Sequence, residues 1–161
     1  MRRELLKLSV VLLVVTGCSR TKAAPASNDS AFAALQQRGE TAMGVDQYTS
    51  QHVFESLPDG GRVVLQRKQS DPKGEATIRT HMLTIAAAFS RGDFALPGFV
   101  HATGEVPGTE VMRRLRLDIV YSPRDLPGGG EVVISSRNPE AIAAIHEFLA
   151  FQRMDHRAGM H

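Results

Sequence analysis

Six histidines, at positions 52, 81, 101, 146, 156 and 161, are the unusual supply of groups in this chain that could do chemistry. A neutral imidazole is a common ligand of transition metals, and near neutral pH it also serves as a general acid or base. Methionines accompany them at Met82, Met154 and Met160, and the tail from Met154 to His161 mixes thioether with imidazole, the soft donor set that suits copper. One expectation is therefore a metal site, copper first, built from His52, His81, His101, His146 and His156. The spacing does not specify it, because neither His-x₃-His nor Cys-x₂-Cys occurs.

Other chemistries have less to work with. His146-Glu147 opens like the helical motif of zinc proteases, but the place of its second histidine holds Ala150. No Gly-x-Ser-x-Gly elbow is present, and Cys18 is the single cysteine. Asp93, His101 and Glu105 on or beside the stretch 94–109 could form an acid–base set, which makes a small hydrolase-like enzyme a further alternative.

The N-terminus belongs to targeting. Arg2, Arg3 and Lys7 precede an apolar run, Leu8 to Val15, that is too short to span a bilayer but suits a signal peptide. It ends in Val15-Thr16-Gly17-Cys18, which resembles the lipobox of bacterial lipoproteins. That resemblance implies a signal over 1–17, lipidation of Cys18, a tether over 18–29 and a domain over 30–161. It also implies a membrane partner through the anchor, and Ser19 after the cysteine implies sorting to the outer membrane. The alternative is cleavage further on, near Ala23 to Ala26, with Cys18 discarded.

Cleavage changes the electrostatics. From 19 Lys/Arg and 17 Asp/Glu, loss of Arg2, Arg3, Lys7 and Glu4 leaves 16 of each. A neutral mature chain lacks the basic field that nucleic-acid binding requires, so no nucleic-acid partner is expected. With Cys18 lipidated or removed, no disulfide can form, and an exported domain must be held by burial alone.

The elements that would position the histidines come from a repeat. Leu57-Pro58-Asp59-Gly60-Gly61-Arg62-Val63-Val64 returns as Leu126-Pro127-Gly128-Gly129-Gly130-Glu131-Val132-Val133, identical at six of eight positions. Each copy sits between a run with alternating polarity and a β-branched run, and an amphipathic helical pattern follows. Strand one reads from Asp46 to Ser56 and strand two from Arg62 to Lys68; a helix from Asp71-Pro72 to about Arg91 carries the stripe Ile78, Met82, Ile85 and Phe89. The glycines and prolines of 94–109 predict a loop or a set of turns. A helical turn at 110–113 comes next, and Leu115, Leu117, Ile119 and Tyr121 alternate as a strand before the second hairpin. Asn138-Pro139 opens the last helix, which buries Ile142, Ile145, Phe148 and Leu149.

A short helix from Ser30 to about Ala42 precedes these units. The fold class expected is α+β, a ββαββα pseudo-repeat with units over 46–92 and 114–156. Its two hairpins form one four-stranded antiparallel sheet with both long helices on one face. The repeated glycines are expected at the hairpin tips, where a positive φ is needed. Arg116 and Asp118 are expected on the open face of the sheet.

From Arg38 to His156 the chain is similar to a family of small exported bacterial proteins of uncharacterised function. The resemblance is carried by Arg38-Gly39, Met43-Gly44, Asp46-Gln47, His52, Pro58-Asp59-Gly60-Gly61, Arg79-x-His81, Val100-His101, Pro107-Gly108, Asn138-Pro139-Glu140-Ala141 and His146-x-Phe148-Leu149-x-Phe151-Gln152. Related sequences often have His-His-Phe where His52-Val53-Phe54 stands. Some carry an aspartate carbamoyltransferase label, but this chain has neither the size nor the phosphate-binding loop of that enzyme. The resemblance implies no activity. The leading expectation is a non-catalytic periplasmic binding or protein-partner domain, with the metal and hydrolase readings as its alternatives.

Overall fold

The computed structural model describes residues 28–158. The signal segment, Cys18, most of the tether, Met160 and His161 lie outside them.

Helix α1 (Asn28–Met43) leads into strands β1 (Ser50–Leu57) and β2 (Gly60–Arg67), then helix α2 (Pro72–Ser90). Two short helices follow, α3 (Ala95–His101) and α4 (Thr109–Arg114), and a single 3-10 turn (Arg116–Asp118). Strands β3 (Ile119–Leu126) and β4 (Gly129–Ser136) and helix α5 (Pro139–Asp155) complete the order. The sheet is antiparallel throughout, in the order β1-β2-β4-β3. Each long helix starts on a proline behind a side-chain cap, Asp71 accepting from the Gly74 amide at 2.9 Å and Asn138 from the Glu140 amide at 3.0 Å.

Pairing of β2 with β4 puts Val63 opposite Val132, two residues with the same place in the repeated octet. Leu65 then faces Gly130, and Gly61 faces Ile134. The repeat is thus a pseudo-twofold about the Val63/Val132 pair. It extends to the hairpin ends: the Arg67 amide donates to Gly128 O and the Ser136 amide to Asp59 O, each at 2.8 Å. The helices cross over. Helix α5 covers β1 and β2, and α2 covers β3 and β4, both on one face. Val63, Leu65, Val132 and Ile134 meet Ile78, Met82, Ile145 and Leu149 there in one buried core.

Four sequence expectations are corrected. The segment 94–109 contains α3, because Phe94, Pro97 and Val100 recur three apart and bury together, while the Asp93 carboxylate takes the Ala95 amide at 3.0 Å. Proline in the first helical turn removes no hydrogen bond. The alternation from Leu115 is not a strand before Ile119, since β4 ends at Ser136 opposite Ile119 and offers no partner beyond it. Leu117 is instead 88% exposed on the 3-10 turn, and Arg116 and Asp118 lie on that turn rather than on the sheet. The open face carries Arg62 between Glu55 (2.6 Å) and the buried Glu131 (3.5 Å).

The fourth correction concerns the glycines. The two-residue turns are Pro58-Asp59 and Pro127-Gly128, so Gly60-Gly61 and Gly129-Gly130 lie in strands. Of these four only Gly60 has a positive φ. Their common requirement is close approach: a Cβ on Gly60 would lie 2.1 Å from Ile134 O, and one on Gly129 2.1 Å from Leu65 O. On the helix face, a Cβ at Gly61 would meet Leu149 Cδ1 at 2.2 Å.

A candidate ligand site lined by four histidines

Strand alternation places His52 and Phe54 on the helix-covered face of edge strand β1, opposite Leu65 and Val63. Helix α5 runs across β1, and its C-cap residue His156 stacks on His52 with ring centroids 5.0 Å apart and planes 21° from parallel. His101, the last residue of α3, meets His156 edge-on, also at 5.0 Å. His81 on α2 closes the fourth side. All four line one pocket of about 70 Å³ whose other walls are mainly apolar, among them Met43, Met82, Ile85 and Phe148.

Burial disfavours the charged form of three of these rings, His52, His81 and His156. It pushes His52 down to about 4, with the charges of His81 and Lys68 adding to the effect, and pushes His81 down to about 4 as well. His156 is driven far below its ordinary value by burial first, then by His52 and His101. His101 is held differently. Its Nδ1 faces the Asp155 carboxylate and its Nε2 faces the Gln152 side-chain oxygen at 2.8 Å.

Three nitrogens in this cluster are buried without a hydrogen-bond partner: His52 Nε2, His156 Nδ1 and Gln152 Nε2. Each such omission costs about 1–3 kcal/mol. A buried polar group that stays unpaired in a folded protein calls for an explanation, and a missing ligand is one.

The fifth expected histidine is elsewhere. His146 turns to the first hairpin, where its Nε2 lies 2.9 Å from Leu57 O. Among the described residues no three His, Cys, Asp or Glu side chains are placed to hold one metal ion as they stand. Stacked rings such as His52 and His156 direct their nitrogens along parallel planes rather than toward a common point. Met82 lines the pocket, whereas Met154 is exposed. The acid–base set does not assemble either: Asp93 accepts the Ala95 amide, Glu105 is exposed beside Arg113 at 3.7 Å, and both ring nitrogens of His101 are engaged.

Two residues that hold His101 were given no role by the sequence. Gln152 entered only as part of the family resemblance, with no function attached, and Asp155 acquires its meaning only because α3 brings His101 across to it. Comparison with known proteins returns no match, whether to a family model, a curated protein or a solved structure. Function has to be argued from the pocket itself.

Proposed function

We propose that the domain is a non-catalytic binding module and that the histidine-lined pocket is its site. The observation carrying this is the set of three buried, unpartnered nitrogens on His52, Gln152 and His156 inside an otherwise apolar enclosure. A small molecule with an apolar body and a hydrogen-bonding group would satisfy them and fill the space. The ¹⁵N imidazole resonances of His52 and His156 should therefore move when neutral alcohols and amides of about three to five carbons are titrated. His52→Phe, which fills the opening and removes one of the three unpartnered nitrogens, should abolish the response of His156; immobile resonances across the whole panel would sink the reading.

A second reading, a soft metal ion such as copper, is favoured by the neutrality of the same imidazoles and by the Met82 thioether in the same wall. It needs the stacked rings to rotate. Copper(I) in the same titration decides it, because coordination would shift both histidines at stoichiometric metal.

The location proposed is the cell envelope, through a lipid on Cys18, and the support is the sequence of residues 1–18 alone. Cys18→Ser should move the protein from the membrane fraction to the soluble one. Retention in the membrane, or a mature N-terminus found between Ala23 and Asn28, would remove the anchor. No helix among the described residues is long and apolar enough to cross a membrane.

A further inference from the structure

The pocket does not end at its histidines. His52, Phe54 and His156 also line an open groove of about 830 Å³ on the outer side of β1, so the same rings form the inner wall of one space and the floor of the other. The inner space is small. At about 70 Å³ it is roughly half the volume of an engineered cavity that holds benzene, about 150 Å³, and takes a group of about three or four carbons. The outer groove is lined by both apolar and polar side chains and carries two cations of particular interest, Lys68 and Arg153.

Both cations hold only neutral acceptors. Lys68 Nζ donates to Tyr48 O at 3.0 Å, and Arg153 Nη1 donates to Phe54 O at 2.8 Å. Neither has a carboxylate partner among the described residues, whereas Arg62 pairs with Glu55, Arg67 with Asp71, Arg79 with Glu75 and Arg114 with Glu140. Neutral imidazoles beneath them add no compensating charge. The mouth of the apolar pocket is therefore a local excess of positive charge bordering desolvated surface, which attracts an anion more strongly than an open surface would.

We infer that the ligand is a short-chain carboxylate, its tail in the inner pocket among Phe54, Met82 and Phe148 and its anionic head in the groove between Lys68 and Arg153. This rests on the pocket being a ligand site. At about 70 Å³ the inner space is too small for the long acyl chain of a membrane lipid, so the ligand is a free small acid rather than part of a bilayer. His52 and His156, at the boundary, face the head-group end of the tail and can donate to a carboxylate oxygen through a nitrogen that otherwise has no partner.

The test compares pentanoate, pentanamide and palmitate by calorimetric titration of the full-length protein in detergent below its critical concentration. Pentanoate should bind with a Kd below about 1 mM and at least about tenfold more tightly than the isosteric pentanamide at low salt. That ratio should fall below about threefold in Lys68→Met, which leaves the Arg153 bond to the strand edge intact, and should shrink as salt is raised. Arg153→Met should reduce it further. Equal binding of acid and amide would overturn the anionic head while leaving the pocket a ligand site. Palmitate tighter than pentanoate would overturn the short tail. Failure of pentanoate and pentanamide alike would overturn this inference together with the binding function it rests on.

Discussion

Replacing Gly129 with alanine should destabilise the fold by at least about 3 kcal/mol, a large part of the roughly 5–15 kcal/mol that holds a domain of this size together. The new methyl would sit 2.1 Å from the Leu65 carbonyl oxygen, a backbone atom in the neighbouring strand that cannot rotate away. Relief requires β4 to move off β2, and that pairing joins the two halves of the sheet. Gly60→Ala should cost at least as much, since it meets Ile134 O at 2.1 Å and adds a φ of +147° that side chains rarely adopt. Gly104→Ala is the control, with no atom within 4 Å and an effect expected within about 0.5 kcal/mol. Urea midpoints compared at constant slope measure all three. A Gly129→Ala protein as stable as the parent would mean that the two hairpins are not packed edge to edge as described.

Acid should unfold the protein well before its carboxylates are protonated. His52, His81 and His156 have folded-state values below the ordinary 6.5, because burial penalises their charged forms. Below about pH 6.5 the unfolded chain binds protons at these positions that the folded chain does not, so the unfolded state gains. The stability these groups contribute is complete above that pH and is lost as pH falls toward 4, at a limit of about 1.4 kcal/mol per pH unit for each ring. With three rings titrating together, the unfolding midpoint should lie between about pH 4 and 5.5. His81→Leu, which removes one of the three without deleting an unpartnered nitrogen, should move that midpoint toward lower pH. A midpoint below about pH 3, or one that His81→Leu leaves in place, would show that these rings are not buried neutral.

On the binding function proposed above, the same rings would link stability to binding. A ligand that satisfies His52 and His156 in their neutral form adds to the folded state by mass action and shifts the acid midpoint further down. On that function the histidines would weaken the empty domain and strengthen the filled one, which is how a site retains groups that a tightly packed core would discard.

The sequence by itself determined the architecture and little of the site. Local signals sufficed for the architecture: the two octets, the Asp71-Pro72 and Asn138-Pro139 starts, and the stripes Ile78-Met82-Ile85 and Ile145-Phe148-Leu149 each bury one face, and two hairpins with one apolar face apiece have few ways to bury both. Where a local pattern competed with tertiary context it misled. Leu115 and Leu117 alternate like a strand but have no partner past Ser136, and the glycines of 94–109 conceal a helix that exists because Phe94, Pro97 and Val100 are buried on the domain. The octet glycines were visible, but their reason was not, since a carbonyl in another strand cannot be read from the residue it approaches.

The histidines show the same division. Their number and type marked them as candidates, but only packing separated His146, bound to a hairpin carbonyl, from His52, His81, His101 and His156, which four different elements bring to one pocket. Proximity across 104 residues, from His52 to His156, is a property of how α5 crosses β1. No spacing along the chain encodes it, because the crossing is set by the pairing of β2 with β4 and by the closeness with which Gly61 lets Leu149 approach the sheet.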